Sequence, residues 1–291
     1  MERTDSLFDS QFLRKIEQLR IDCRKLMSSN GSGNRKSRSK GSSVEFSDYR
    51  EYSSGDDFRR IDWNAYGRFE KLFLKLFMEE REARINIFID TSNSMNWGQP
   101  NKGIQGKRLA AALAYIGLSN FDRVSVYSIN EQLHSSRKSI HGKDGFWQVL
   151  SYLSNLPFEG NTSLSKAIKA FDGNGGAGIA IVISDLMSFD GIKEGLKYLQ
   201  FKKQDIILCH LLSPEELTPS VGGSVRMVDM ETGEAKDITI THGLLKAYQN
   251  VLDSFTEDIK KYCFQRGINY ISLSSDFNIE HMVKMTIGAG K

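Results

Sequence analysis

The stretch RINIFIDTSNSMNWG, residues 84–98, runs from an almost uninterrupted apolar segment straight into an acid and three hydroxyl side chains. Ile85, Ile87, Phe88 and Ile89 are apolar on both alternations, the pattern of a strand covered by helices on each face. Polar groups gathered at the carboxyl end of such a strand stand where open α/β sheets bind ligands. Similar apolar segments follow at residues 123–129, 178–184, 205–212 and 268–273. Between and after them, residues near 106–119, 144–154, 163–172, 190–200, 243–266 and 278–287 read as helices. The alternation predicts one α/β domain over residues 82–291, with a doubly wound, mainly parallel sheet. Within it, RMVDM and KDITI around ETGEA, residues 225–240, predict a hairpin added at an edge or on the surface.

Residues 1–81 form a different kind of segment. Phe12, Leu13, Ile16, Leu19, Cys23 and Leu26 recur at intervals of three and four, so residues 9–27 predict an amphipathic helix that must lie on something. The next stretch, SSNGSGNRKSRSKGSS at 28–43, holds no apolar residue and cannot bury itself, which predicts a solvated basic loop. It lacks the interleaved aromatics that would stack on bases. An arm follows, in which the turn signal SSGDD separates two segments rich in aromatics and charge, and LFLKLFM at 72–78 reads as extended. Asp56, Asp57, Arg59, Arg60 and Asp62 crowd beside Trp63. They could form a catalytic carboxylate cluster, but an ion-paired network tying the arm to the main domain is the favoured reading.

Composition narrows the function classes. Lys and Arg number 39 against 36 Asp and Glu, so there is no general electrostatic reason to expect nucleic acid as a partner. Cys23, Cys209 and Cys263 are odd in number, widely spaced and in no CxxC arrangement, which speaks against a disulfide framework or a zinc cluster. No apolar run approaches the roughly 20 residues needed to span a bilayer, and the first residues lack the pattern of a signal peptide. The expectation is a soluble protein of the cytoplasm.

The chemistry is concentrated in three segments. If the first strand lies beside the one ending in ISDLMSFD, residues 183–190, then Asp90 and Asp185 converge on one crevice. EGNTSLSKAI, residues 159–168, can bring Thr162 to the same place. Two carboxylates held close in a poorly solvated crevice call for a proton or a cation between them. The hydroxyls of Ser92, Ser94 and Thr162 are hard donors suited to Mg2+, with Mn2+ or Ca2+ as substitutes, and the absence of sulfur and imidazole disfavours zinc and copper. The i, i+2, i+4 spacing of Asp90, Ser92 and Ser94 allows a tight turn to aim alternate side chains at one ion.

DTSNSM, with the Thr of GNTSL and the Asp of ISDL, resembles the metal-ion-dependent adhesion site of von Willebrand factor A domains. That resemblance implies a von Willebrand A/Rossmann-like fold in which Ser92, Ser94 and Thr162 reach the metal directly. Asp90 and Asp185 then act mostly through water, and a partner's carboxylate fills the open position. The arm is more specific. GDDFRRIDW, residues 55–63, and VDMETGEA, residues 228–235, resemble the GDDxRxIDW signature and later DxETGE hairpin of the bacterial domain-of-unknown-function 58 family. Membership implies a protein-binding adaptor working with a MoxR-type AAA+ ATPase or its client rather than an enzyme. Many members carry membrane-spanning segments ahead of the arm, where this chain shows only the amphipathic helix.

Three rivals come from the residues themselves. A haloacid dehalogenase-type phosphotransferase would use Asp90 as nucleophile, Asp185 and Asp190 as the late acidic pair, and Lys166 or Lys169 for the phosphate. It would want an acid two residues after the nucleophile, where Ser92 stands. A hydrolase using Ser92 or Ser94 needs a base, but His134, His141, His210, His242 and His281 all lie outside the three segments. In the third rival the hydroxyls cap the following helix and no metal is bound.

Overall fold

The computed structural model describes residues 7–29, 45–78, 82–173, 176–188, 190–219, 222–228 and 235–288. The chain begins with helix α1 (Ser10–Ser29), started by Asp9, whose carboxylate accepts the Phe12 N–H at 2.6 Å. Phe12, Ile16 and Leu19 form its buried stripe. The basic loop expected at 28–43 lies almost wholly outside the described residues. Strand β1 (Glu45–Glu51), helix α2 (Trp63–Phe69) and strand β2 (Phe73–Met78) make up the arm, with β1 and β2 paired antiparallel.

The remainder alternates as its sequence predicts. It comprises β3 (Arg84–Asp90), α3 (Lys102–Ser119), β4 (Arg123–Ile129), β5 (Leu133–Ile140), α4 (Phe146–Asn155), α5 (Leu164–Lys169) and β6 (Gly178–Ser184). Then come α6 (Lys193–Phe201), β7 (Gln204–Leu212), the short α7 (Pro214–Leu217), β8 (Gly223–Val228), β9 (Ala235–Ile240), α8 (His242–Gln265), β10 (Asn269–Ser274) and α9 (Ile279–Gly288). Among the described residues no helix is long and apolar enough to cross a membrane.

Six strands form one mixed, mainly parallel sheet in the order β10-β7-β6-β3-β4-β5, in which only β5 runs antiparallel to its neighbour. The sequence reading had no strand at β5, because LHSSRKSI lacks the apolar pattern. It lies at the sheet's edge, where a polar strand is tolerated and discourages pairing with another chain. The expected hairpin is a separate two-stranded sheet of β8 and β9, whose connecting residues 229–234 lie outside the described residues.

Alternating side chains of the sheet enter two cores. Ile87 and Ile89 join α1, α3, α4 and α9 on one face. Phe88 joins α5, α6 and α8 on the other, stacked on Tyr127 at 5.0 Å and edge-on to Phe171 at 5.2 Å. This double burial is why the strands read as continuous apolar runs.

The chain divides into two compact units, residues 30–82 and the larger unit of residues 1–29 with 83–291. The N-terminal helix, grouped with the arm in the sequence reading, belongs instead to the larger unit. Its apolar stripe is buried in the same core as α3 and α9, and burying that stripe is what stabilises so polar a helix.

Phe88→Ala should lower unfolding free energy by about 3–5 kcal/mol, because it empties the middle of a packed aromatic group. Phe264→Ala, at a side chain 87% exposed, should change it by less than about 0.5 kcal/mol. Urea unfolding of the two variants checks the contrast.

Candidate functional site

The connections leave the neighbouring strands β3 and β6 in opposite directions, β3 towards β4 and β6 towards β7. The crevice beyond their carboxyl ends is therefore where an open sheet presents a ligand site. Because Ile89 pairs with Ile183, the next residues, Asp90 and Ser184, fall side by side, and Asp185 follows immediately. Asp90, Ser92, Thr162, Ser184 and Asp185 are all buried.

Asp90 is held by hydrogen bonds on both oxygens. Its Oδ1 accepts the Ser92 backbone N–H at 3.0 Å and the Ser92 hydroxyl at 2.7 Å, and its Oδ2 accepts the Ser184 hydroxyl at 2.6 Å. The Ser92 and Ser94 hydroxyl oxygens lie 3.0 Å apart. The i, i+2, i+4 turn thus does bring its alternate side chains together.

The third segment is stitched to the other two through backbone groups. Asn93 N–H donates to the Gly160 carbonyl at 3.1 Å, and Glu159 N–H to Thr91 at 2.9 Å. The Ser188 hydroxyl accepts the Leu164 N–H at 3.1 Å and has two acceptors for its one proton, Asp190 Oδ1 at 2.6 Å and the Thr162 carbonyl at 3.2 Å. Thr162 therefore stands on a loop fixed to both acid-bearing segments. Asp190 accepts the Lys166 backbone N–H at 2.9 Å, so it caps the start of α5.

A buried cation that the sequence does not announce, the Lys102 side chain, stands beside Asp185. Only 1% exposed, its Nζ lies 2.6 Å from Asp185 Oδ2 and 2.6 Å from Glu216 Oε1. Asp185 Oδ1 accepts the Met187 N–H at 3.0 Å. Burial opposes the charge on Lys102, yet Asp185 and Glu216 together hold its pKa above the ordinary value. Close approach of α3 depends on Gly103, since a Cβ there would meet the Met95 carbonyl oxygen at 2.7 Å and Phe158 at 2.4 Å. One signal for Lys102 was available: a lysine in the first turn of a helix opposes the helix dipole and needs a compensating reason to be there.

Burial, and then the nearby Asp185, push Asp90 up to about 7. Among the described residues no group of three or more His, Cys, Asp or Glu is placed to hold a metal ion, so any metal here must draw on the hydroxyls. His210 is buried on β7, and its Nδ1 lies 2.6 Å from the Tyr270 hydroxyl; burial pushes it down to about 4, so it is neutral at physiological pH. Lys166 and Lys169, considered above for a phosphate, are exposed.

In the arm, the residues of GDDFRRIDW form contacts internal to that unit. Asp56 accepts from Arg50 at 2.7 Å and from the Ser53 N–H at 3.0 Å, closing the turn. Asp57 accepts the Arg59 N–H, and Arg60 ends that single helical turn. Asp62 caps α2 through the Asn64 and Ala65 N–H groups, and it also accepts from Tyr49 at 2.8 Å and pairs with Lys75 at 3.2 Å. The Tyr49 hydrogen bond leads in holding the Asp62 carboxyl below its usual range, against some burial. Trp63 is exposed, edge-on to Tyr66.

The family model described as "Protein of unknown function DUF58" matches residues 48–254, and the chain belongs to that family. It is 21% identical over 231 residues to the uncharacterized protein Rv1480 of Mycobacterium tuberculosis, covering 77% of this chain and 73% of that protein. The uncharacterized protein Mb1516 of Mycobacterium bovis matches to the same extent, at 21% over 231 residues. Among solved structures, the conserved hypothetical protein BatB from Bacteroides thetaiotaomicron is similar with a TM-score of 0.43 at 17% identity, covering 71% of this chain and 97% of that one. The pilus adhesin SpaC from Lactobacillus rhamnosus GG gives 0.45 at 12%, covering 72% and 31%.

The pKa of Asp90 sets a pH dependence in metal-free buffer. From its unfolded value near 3.8 up to about 7 the folded state binds the extra proton, so stability falls as pH rises through this window. The slope reaches at most about 1.4 kcal/mol per pH unit. Asp90→Asn should flatten it and leave the metal-free protein more stable than wild type above pH 7, as read by chemical unfolding in chelator at several pH values.

Proposed function

We propose that this protein is a non-enzymatic interaction module whose crevice binds a Mg2+-class ion and, through it, an acidic group of a protein partner. The ion would be held by Ser92, Ser94 and Thr162, with Asp90 and Asp185 behind them. The observation that carries the reading is the pair of Ser92 and Ser94 oxygens 3.0 Å apart, with the Ser92 proton committed to Asp90. Two cis oxygens on an octahedral Mg2+ with bonds of about 2.1 Å also lie about 3.0 Å apart. With its proton on Asp90, the Ser92 oxygen accepts from the Ser94 hydroxyl, and a cation would replace that hydrogen bond with both oxygens. The hard, sulfur-free donor set fits Mg2+, Mn2+ or Ca2+.

A divalent ion there would neutralise the acidic pair and offer a coordination position to a carboxylate from outside. The residues of the chain do the rest: Ser184 and the Ser92 N–H orient Asp90, and the loop carrying Thr162 is pinned by Ser188. The sheet supports a von Willebrand A-type reading of the fold. In chain order its strands run third, second, first, fourth, fifth, sixth, with the third antiparallel at the edge.

The partner class, a MoxR-type AAA+ ATPase or its client, rests on the family resemblance, and the cytoplasmic location on the cysteine pattern and the lack of long apolar runs in the sequence. The phosphotransferase alternative is less well supported. Asp90 is buried with both oxygens hydrogen-bonded, Ser92 occupies the place of the general acid, and Asp190 caps a helix.

Isothermal titration with Mg2+ or Mn2+ should give a binding heat in the wild type that Ser92→Ala and Ser94→Ala remove; no heat at millimolar metal overturns the metal reading. Affinity capture from the native cell should recover an AAA+ ATPase in Mg2+ and lose it in chelator. Hydrolysis of phosphate esters abolished by Asp90→Asn would replace the module with an enzyme.

A further inference from the structure

Lys102 is a buried cation in an electrostatically unfavourable place. As the first residue of α3 it stands at the positive end of an 18-residue helix, and it is almost fully removed from water. Two carboxylates offset this, Asp185 just after β6 and Glu216 just after β7. Asp185 belongs to the proposed metal set. Glu216 does not: it lies on α7, where its Oε2 accepts the Ser213 N–H at 2.8 Å while Ser213 Oγ accepts the Glu216 N–H at 3.3 Å. That reciprocal capping box fixes Glu216, so it offers Lys102 a rigid acceptor. The short helix is itself held from outside. Gln99 N–H donates to Glu215 at 3.1 Å, and the Tyr248 hydroxyl of α8 donates to the Glu216 carbonyl at 2.8 Å.

A divalent ion beside Asp90 and Asp185 would share Asp185 with this ammonium, and two cations on one carboxylate repel. We propose that Lys102 is an internal counter-ion that competes with the divalent ion for Asp185, and that Glu216 is the acceptor onto which it gives way when the crevice fills. In the metal-free protein Lys102 keeps Asp185 neutralised and the crevice intact. On loading, its ammonium is retained by Glu216 alone, so the affinity of the crevice is set by residues that do not touch the ion. This inference rests on the metal reading above and concerns its regulation.

The two residues should act in opposite directions, which a purely structural role would not produce. In isothermal titration with Mn2+, Lys102→Met should bind more tightly than wild type by about tenfold or more. Glu216→Gln should bind several-fold more weakly. If Glu216 acts through Lys102, adding Glu216→Gln to Lys102→Met should change affinity little further, a non-additivity that the double-mutant cycle measures. Thermal unfolding supplies a second readout: Lys102→Met should be less stable than wild type in chelator and gain more from Mn2+. Lys102→Gln, one atom shorter but uncharged and able to hydrogen-bond, serves if the Met variant does not fold. Wild type binding Mn2+ while folded Lys102 variants bind equally or more weakly would overturn the counter-ion role and leave the metal site standing. No binding by wild type or by any folded Lys102 variant would overturn both.

Discussion

Asp90 and Asp185 lie without solvent exposure at the ends of adjacent parallel strands, where each negative charge must be met by a proton, a hydrogen-bond donor or a cation. The surrounding structure supplies all three. Ser92 and Ser184 bring donors to Asp90, whose raised pKa lets it take up a proton near neutrality. Lys102 brings a cation to Asp185. The hydroxyls that satisfy Asp90 also accept hydrogen bonds, Ser184 from the Leu186 N–H at 2.9 Å and Ser92 from Ser94 at 3.0 Å, so the acid is held by an oxygen-lined network that reaches into the turn.

Topology makes that arrangement inexpensive to position. The β3–β6 register fixes where Asp90 and Ser184 stand, and the two apolar cores hold the strands from both faces. Loops that would otherwise have to close over the crevice are pinned by their own backbone: residues 91 and 93 to 159 and 160, and residues 162 and 164 to Ser188. The helices add what the strands lack. α3 reaches the turn closely enough, at Gly103, to deliver Lys102, and α7 supplies the opposing Glu216.

The arm follows a different logic. Its acidic residues serve as caps and turn closures within their own unit: Asp56 on the turn after β1, Asp57 on the single helical turn, Asp62 on α2. The clustering of acids in GDDFRRIDW is thus explained locally, by backbone N–H groups that need acceptors at each change of direction. Exposed Trp63 takes no part in this network.

The alternation of apolar runs with amphipathic stretches determined a mainly parallel α/β sheet covered on both faces, because a strand buried on both sides must be apolar on both alternations. Residue order and chemical type likewise marked Asp90, Ser92, Ser94, Thr162 and Asp185 as polar groups at strand ends or nearby loops. The polar edge strand β5 was not legible, since a strand that buries little carries little periodic signal. Nor was the placement of α1, whose stripe announces that it is covered but not by what. The Lys102–Asp185–Glu216 clasp was beyond sequence reading for the same reason: its members are separated by 83 and 114 residues from Lys102, and only the packing of α3 against the sheet and α7 brings them within 2.6 Å. Local pattern reports which faces a segment buries; it does not report which distant charge will share that burial.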